Sequence, residues 1–267
     1  MRARPWFGPL LVASLALAFA FLVLPVVAIF VHTAPAKLVS SLGDRASTDA
    51  LRLSLETSTI AMVVVVAVGT PAAYWLATRV FRARAALITL LELPLVLPPA
   101  VAGLGLLAAL GPDGILGPAL ANAHVQLVLQ TAGVVVALCF VSGPLYLLQA
   151  QAAFGAVERS LTDASRTLGA GEAATFARVA VPVALPGLLT GLGLAWARAL
   201  GEFGATLMFA GSLQGVTQTA PLAIYAQFAS DLPAALALSA VLVAFSAALL
   251  VGVKLLSGSR SLGLAAR

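Results

Sequence analysis

Six long apolar runs, at about 8–31, 52–78, 85–110, 125–150, 185–210 and 234–256, alternate with short segments that hold nearly all the charge. Each run reaches the roughly 20 residues a helix needs to cross the hydrocarbon of a bilayer. The pattern predicts an all-α integral membrane chain with about six transmembrane helices, forming a single domain over 1–267. Proline falls inside several runs, at Pro25, Pro71, Pro94, Pro98, Pro99 and Pro144. Membrane helices tolerate proline where neighbours satisfy the carbonyls it frees. The third run, with Leu93-Pro94-Leu95-Val96-Leu97-Pro98-Pro99, is predicted to bend or partly unwind. The first run carries Arg2 and Arg4 ahead of it and resembles a signal peptide in that respect. Its apolar core from Leu10 to Val31 is too long for a signal segment, so it reads as a retained span.

Composition removes the soluble alternative. Of 267 residues, 61% are hydrophobic and 9% charged, and the mean hydropathy is +1.06. A water-facing surface cannot be built from so few polar side chains, so lipid is the expected surroundings. The net charge of +5 does not indicate a nucleic-acid partner, because the arginines sit in short loops and form no basic face interleaved with aromatics.

Those loop charges set an orientation. With six spans, one side collects Arg2, Arg4, Arg79, Arg82, Arg84, Arg159, Arg166, Arg178, Lys254, Arg260 and Arg267, and the other only Lys37, Arg45 and Arg52. The positive-inside rule then puts both termini in the cytoplasm of a multi-pass cell (inner) membrane protein. The stretch 151–184 becomes the largest cytoplasmic loop. Leu161, Ala164, Leu168 and Gly171 recur in it at spacings of three and four, so an amphipathic helix is expected, needing a partner surface or the membrane interface.

Chemistry of its own is scarce. The only lysines, Lys37 and Lys254, follow Ala36 and Val253, so neither completes the Gly-Lys-Ser/Thr step of a phosphate-binding loop. His32 and His124 stand alone at membrane boundaries, and Cys139 lies alone in an apolar run, where it reads as a small buried hydrophobe. No catalytic residue, metal site or resident cofactor is expected, and the chain does not read as an enzyme. Charges inside the membrane remain. Arg198 and Glu202, four apart in the fifth run, share a helix face, and ~20 Å of helix from Leu185 places them in the outer half of the membrane. They are either a self-neutralising structural pair or part of a permeation path, for which Glu92 in the third run is the third candidate. Glu92 has Arg198 and Arg84 as possible partners. Gly187 and Gly191 form a G-x-x-x-G step, extended by Gly193, suited either to packing within the subunit or to an interface.

The loop carries a more specific pattern. Asp163-Ala164-Ser165, three residues, Gly169, nine residues and then Val179-Ala180-Val181-Pro182 resemble the E-A-A-x(3)-G-x(9)-I-x-L-P loop of ABC importer permeases, with Asp for Glu, Ser for Ala and Val for both Ile and Leu. The segment from Ala197 to Gly211, the run Gly215–Tyr225 and Leu53–Ser58 are similar to the molybdate permeases of that family, and Leu93–Pro99 to both the molybdate and sulfate branches. The resemblance spans about 50–256. It implies a type I ABC importer permease fold and a homodimer with the path between the copies. It also implies an ABC ATP-binding subunit docked on the loop through Asp163, Ala164, Ser165, Gly169, Val179, Val181 and Pro182, and an extracytoplasmic molybdate-binding protein. The implied function is ATP-driven, alternating-access import of molybdate, with ATP bound by the partner subunit. A sulfate or tungstate permease is the nearest alternative. An ATP-independent secondary transporter or channel is the alternative of a different class; it would show midplane ion-coordinating charges and inverted repeats.

Overall fold

The computed structural model describes residues 7–265. Arg2, Arg4 and Arg267, counted above for orientation, lie outside the described residues, as do the side chains of Lys254 and Arg260. Every regular element among the described residues is helical. Five helices are long and apolar enough to cross a membrane: α1 (Phe7–Val31), α3 (Arg45–Thr78), α7 (Thr131–Gly155), the continuous stretch Glu172–Leu200, and α13 (Leu232–Ala265) through its apolar part. The third run is split into α4 (Arg84–Val96) and α5 (Pro99–Leu110), which meet at 114° and together have the length of one crossing. Leu97 is extended (ψ 132°) because the residue before a proline avoids the helical region, and Pro99 then starts α5 where its missing N–H costs nothing. The short elements are α2 (Pro35–Gly43), α6 (Gly117–Asn122), α8 (Arg159–Thr167), α11 (Gly204–Ala210) and α12 (Ala220–Phe228), and the stretch Glu172–Leu200 comprises α9 (Glu172–Thr175) and α10 (Val181–Leu200). A π-turn, Phe176–Ala180, joins α9 to α10.

The bundle is α3 packed on α7, α7 on α10, and α10 on α13. In lipid no hydrophobic drive pushes helices together, so close approach of small residues must do the work. The core shows this: Ala61, Ala73, Val134, Ala137, Ala150 and Ala195 are fully buried. A Cβ on Gly187 would lie 2.6 Å from the Cβ of Ala153, and one on Gly191 2.8 Å from that of Gln149, so the G-x-x-x-G step is filled by α7 of the same chain. Gly193 abuts Val253 of α13 in the same way. By contrast α1, which packs on α13, has no fully buried residue, and most of its apolar surface is exposed.

The structure moves several predicted boundaries. The second span starts at Arg45, not near residue 52, because Asp44 caps it by accepting the Ser47 N–H at 3.1 Å. The fourth starts at Thr131, after His124 and Leu129 take positive φ. The stretch 151–184 is not all loop. The helix before it runs to Gly155 and the next begins at Glu172, so the connection is 156–171. The charges Glu172 and Arg178 masked the helix there, because they lie on its exposed flank near the bundle end. The fifth run is not one helix to residue 210. It stops at Leu200, turns at Gly201-Glu202-Phe203 and resumes as α11.

Candidate functional site

Two places hold the residues singled out in the sequence. The first is the arginine-rich end of the bundle, where α8 packs on α9 and the π-turn and faces the ends of α3 and α7 across a cavity. Leu161 and Leu168 are exposed, the latter 89%, while Arg159, Thr162, Asp163 and Arg166 line a polar cavity of ≈ 390 Å³ with Tyr74, Thr78 and Phe154. The helix ends because Gly169 takes φ +85°: its N–H reaches Arg166 O (2.9 Å) and the Ala170 N–H reaches Ser165 O (3.1 Å). These two bonds satisfy the last carbonyls of α8 in the pattern that calls for glycine at this point.

Two contacts tie α8 and α9 to the bundle. The Ser165 and Thr175 hydroxyls are 3.1 Å apart, Thr175 being fully buried, and Arg79 at the end of α3 pairs with Glu172. Just beyond, the rings of Tyr74, Phe154 and Phe176 touch one another and clamp the π-turn to α3 and α7. Among the described residues Asp163 pairs only with Arg166 on its own helix, at 3.7 Å. Val179, Val181 and Pro182 are not on the connection. Val179 is in the π-turn, Val181 packs on the core, and Pro182 sits in the first turn of α10. The structure thus places Asp163, Ala164 and Ser165 on α8 with Gly169 just past its end, and joins them to the Val179–Pro182 segment through Thr175, which sequence reasoning did not single out. No periodicity marks a threonine ten residues from a serine as its partner.

The second place is inside the bundle. Arg198 Nη1 donates to Glu202 Oε2 at 2.6 Å, and Glu202 Oε1 accepts the Ala205 N–H at 2.7 Å. Glu202 therefore stands beyond the end of the helix that carries Arg198, and both its oxygens are used, which is why its side chain can be 1% exposed. Arg198 is 37% exposed and lines a cavity of ≈ 40 Å³ with Pro94, Leu95, Leu97, Pro99, Ala102 and Val141 at the α4–α5 break. Glu92 is half-buried on α4 and, among the described residues, pairs with neither of its expected partners: Arg84 Nε instead donates to Leu76 O and caps α3. Ser54 and Ser58 of α3 also acquire roles: Ser54 Oγ accepts the Ala220 N–H that starts α12 (2.7 Å), and Ser58 Oγ accepts Trp196 Nε1–H (3.0 Å). Among the described residues no three His, Cys, Asp or Glu side chains are grouped to hold a metal ion.

Comparison with known proteins agrees along most of the chain. Residues 69–260 match the family described as binding-protein-dependent transport system inner membrane component. A probable transport system permease of Clostridium pasteurianum is 35% identical over 249 residues, covering 93% of this chain and 87% of that protein. The molybdenum transport system permease of Mycobacterium tuberculosis is 41% identical over 233 residues, covering 87% and 88%. That of Escherichia coli K12 is 38% identical over 177 residues, covering 66% and 77%. A chain of a bacterial alginate ABC transporter, solved with a periplasmic protein carrying an alginate pentasaccharide, superposes with a TM-score of 0.74 at 15% identity, covering 96% of this chain and 94% of that one. At that identity the likeness concerns the fold.

Proposed function

Because the chain belongs to the family of binding-protein-dependent transport system inner membrane components, we propose that it is the multi-pass permease subunit of an ATP-driven molybdate importer. The observation that carries the substrate is the 41% identity, along 87% of this chain, to a permease named for molybdenum transport. An ATP-independent transporter or channel is not favoured by this membership. The energy enters through a separate ATP-binding subunit, and an extracytoplasmic binding protein delivers the ion. The arginine-rich end faces the cytoplasm, as the positive-inside rule requires. A second copy of the chain completes the translocation path, and α1, which has no fully buried residue within its own subunit, is available to it.

The geometry supports a coupling role for α8. Its Leu161 and Leu168 are apolar and exposed within the subunit, as a surface for the ATP-binding subunit must be. Movement of α8 reaches the membrane through the Ser165–Thr175 hydrogen bond, α9 and the π-turn into α10, one element in continuous helical connection with Arg198. Asp163, Ala164, Ser165 and Gly169 form and shape the docked helix, while Val179, Val181 and Pro182 anchor the element it pulls. The test is uptake of labelled molybdate into vesicles containing the permease and its ATP-binding subunit, with the binding protein outside and ATP inside. Uptake should require ATP and be displaced by unlabelled molybdate far more effectively than by sulfate. Full uptake without the ATP-binding subunit, or sulfate outcompeting molybdate, would overturn the reading.

A further inference from the structure

We propose that Arg198 is the group within the membrane that recognises the oxyanion in transit, and that Glu202 limits how tightly it is held by sharing the guanidinium. The proposal rests on the reading that this chain conducts a tetrahedral oxyanion.

Depth comes first. The cavity beside Arg198 includes Leu97 and Val141. About 20 Å of helix separates Arg84 from Leu97, and about the same separates Gly155 from Val141. Both stretches start at the arginine-rich end, so the cavity lies within a hydrocarbon layer roughly 30 Å thick. A charge at that depth is expensive unless it is paired or faces a polar path. Glu202 is paired completely: Arg198 takes one oxygen at 2.6 Å and the Ala205 amide takes the other at 2.7 Å. Arg198 is not. A guanidinium carries five N–H donors in a fixed fork. Among the described residues only Glu202 accepts from it, and the side chain remains 37% exposed.

That asymmetry has a chemical use. A guanidinium binds the paired oxygens of a tetrahedral oxyanion through two parallel N–H bonds, which ammonium groups do not match. Left alone in a low-dielectric site, it would hold the ion too firmly, since conduction needs sites that release as well as bind. Glu202 supplies the opposing charge and cannot swing away, because the Ala205 N–H fixes it. The remaining wall is made of Pro94, Leu95, Leu97, Pro99 and Ala102, which flank the Leu97-Pro98 break between α4 and α5, and Val141 of α7. The cavity of ≈ 40 Å³ holds about one water and no oxyanion, so an oxyanion reaches the guanidinium from this side only when the wall parts.

The experiment uses the complete importer with its binding protein, and labelled molybdate. With R198Q, ATP-driven uptake should fall at least tenfold in an assembled complex, and R198K should recover part of it. E202Q should retain at least fivefold more molybdate on the detergent-purified permease–ATPase complex at equilibrium dialysis, and transport it more slowly. The double variant R198Q/E202Q keeps a neutral hydrogen-bonded pair, so it should assemble, retain no extra ion and remain slow. Uptake within twofold of wild type in R198Q or in the double variant would overturn the proposal. So would failure of both to assemble, which would assign the pair to folding. If wild type itself takes up no molybdate with ATP, the substrate reading fails first. Wild-type uptake with an indifferent R198Q sinks the arginine alone.

Discussion

The hydroxyl of Ser165 on α8 lies 3.1 Å from that of Thr175 on α9, the one side-chain hydrogen bond among the described residues between α8 and the spanning stretch that follows it. Thr175 is fully buried, so its partner is not replaced by water. Replacing Thr175 with valine keeps the volume and removes the bond, at about 1 kcal/mol. The expected outcome is an assembled complex whose ATPase activity persists while uptake per ATP hydrolysed drops severalfold. Unchanged uptake per ATP would remove Thr175 from the coupling route.

Gly169 tests the end of α8. A Cβ there meets nothing within 4 Å, so any cost comes from the φ of +85° and not from a clash. A left-handed conformation costs an L-residue roughly 1–2 kcal/mol. G169V should therefore shift or fray the end of α8 and weaken copurification of the ATP-binding subunit. G169N, which tolerates this region better, should lie between it and wild type.

Leu168 separates docking from folding. It is 89% exposed, so L168D should leave the melting temperature of the isolated permease unchanged. The same change places a charge in an apolar contact if α8 docks there, and should abolish copurification of the ATPase. Copurification at wild-type yield would show that another face of α8 is used.

Gly187 and Gly105 form a matched pair of small-to-larger changes. G187L drives its side chain into Ala153, whose Cβ a new Cβ would already approach to 2.6 Å. Overpacking of this kind costs typically 1–3 kcal/mol, to be read as a lowered melting temperature in detergent. G105A faces open space and should melt no lower than wild type.

Much of this was legible along the chain, because bilayer thickness and backbone hydrogen bonding leave an apolar run of this length little choice but a helix. The membrane class, about six apolar helical segments, a bend within Leu93–Pro99 and the neighbourhood of α8 all follow from such local rules. The ends of elements did not. Glu172 and Arg178 looked like loop residues, since charge is the usual mark of a membrane boundary, yet the helix continues past that boundary and is clamped by Tyr74 and Phe154 from elsewhere in the chain. Spacing put Arg198 and Glu202 on one helix face. It could not show that the helix stops at Leu200, or that Glu202 spends its second oxygen on Ala205. The partners of Ser54 and Thr175, and the absence of an ion pair at Glu92 among the described residues, were equally out of reach. Periodicity reports which side of a helix is apolar; which distant donor meets which acceptor is fixed only when separate helices are packed into contact.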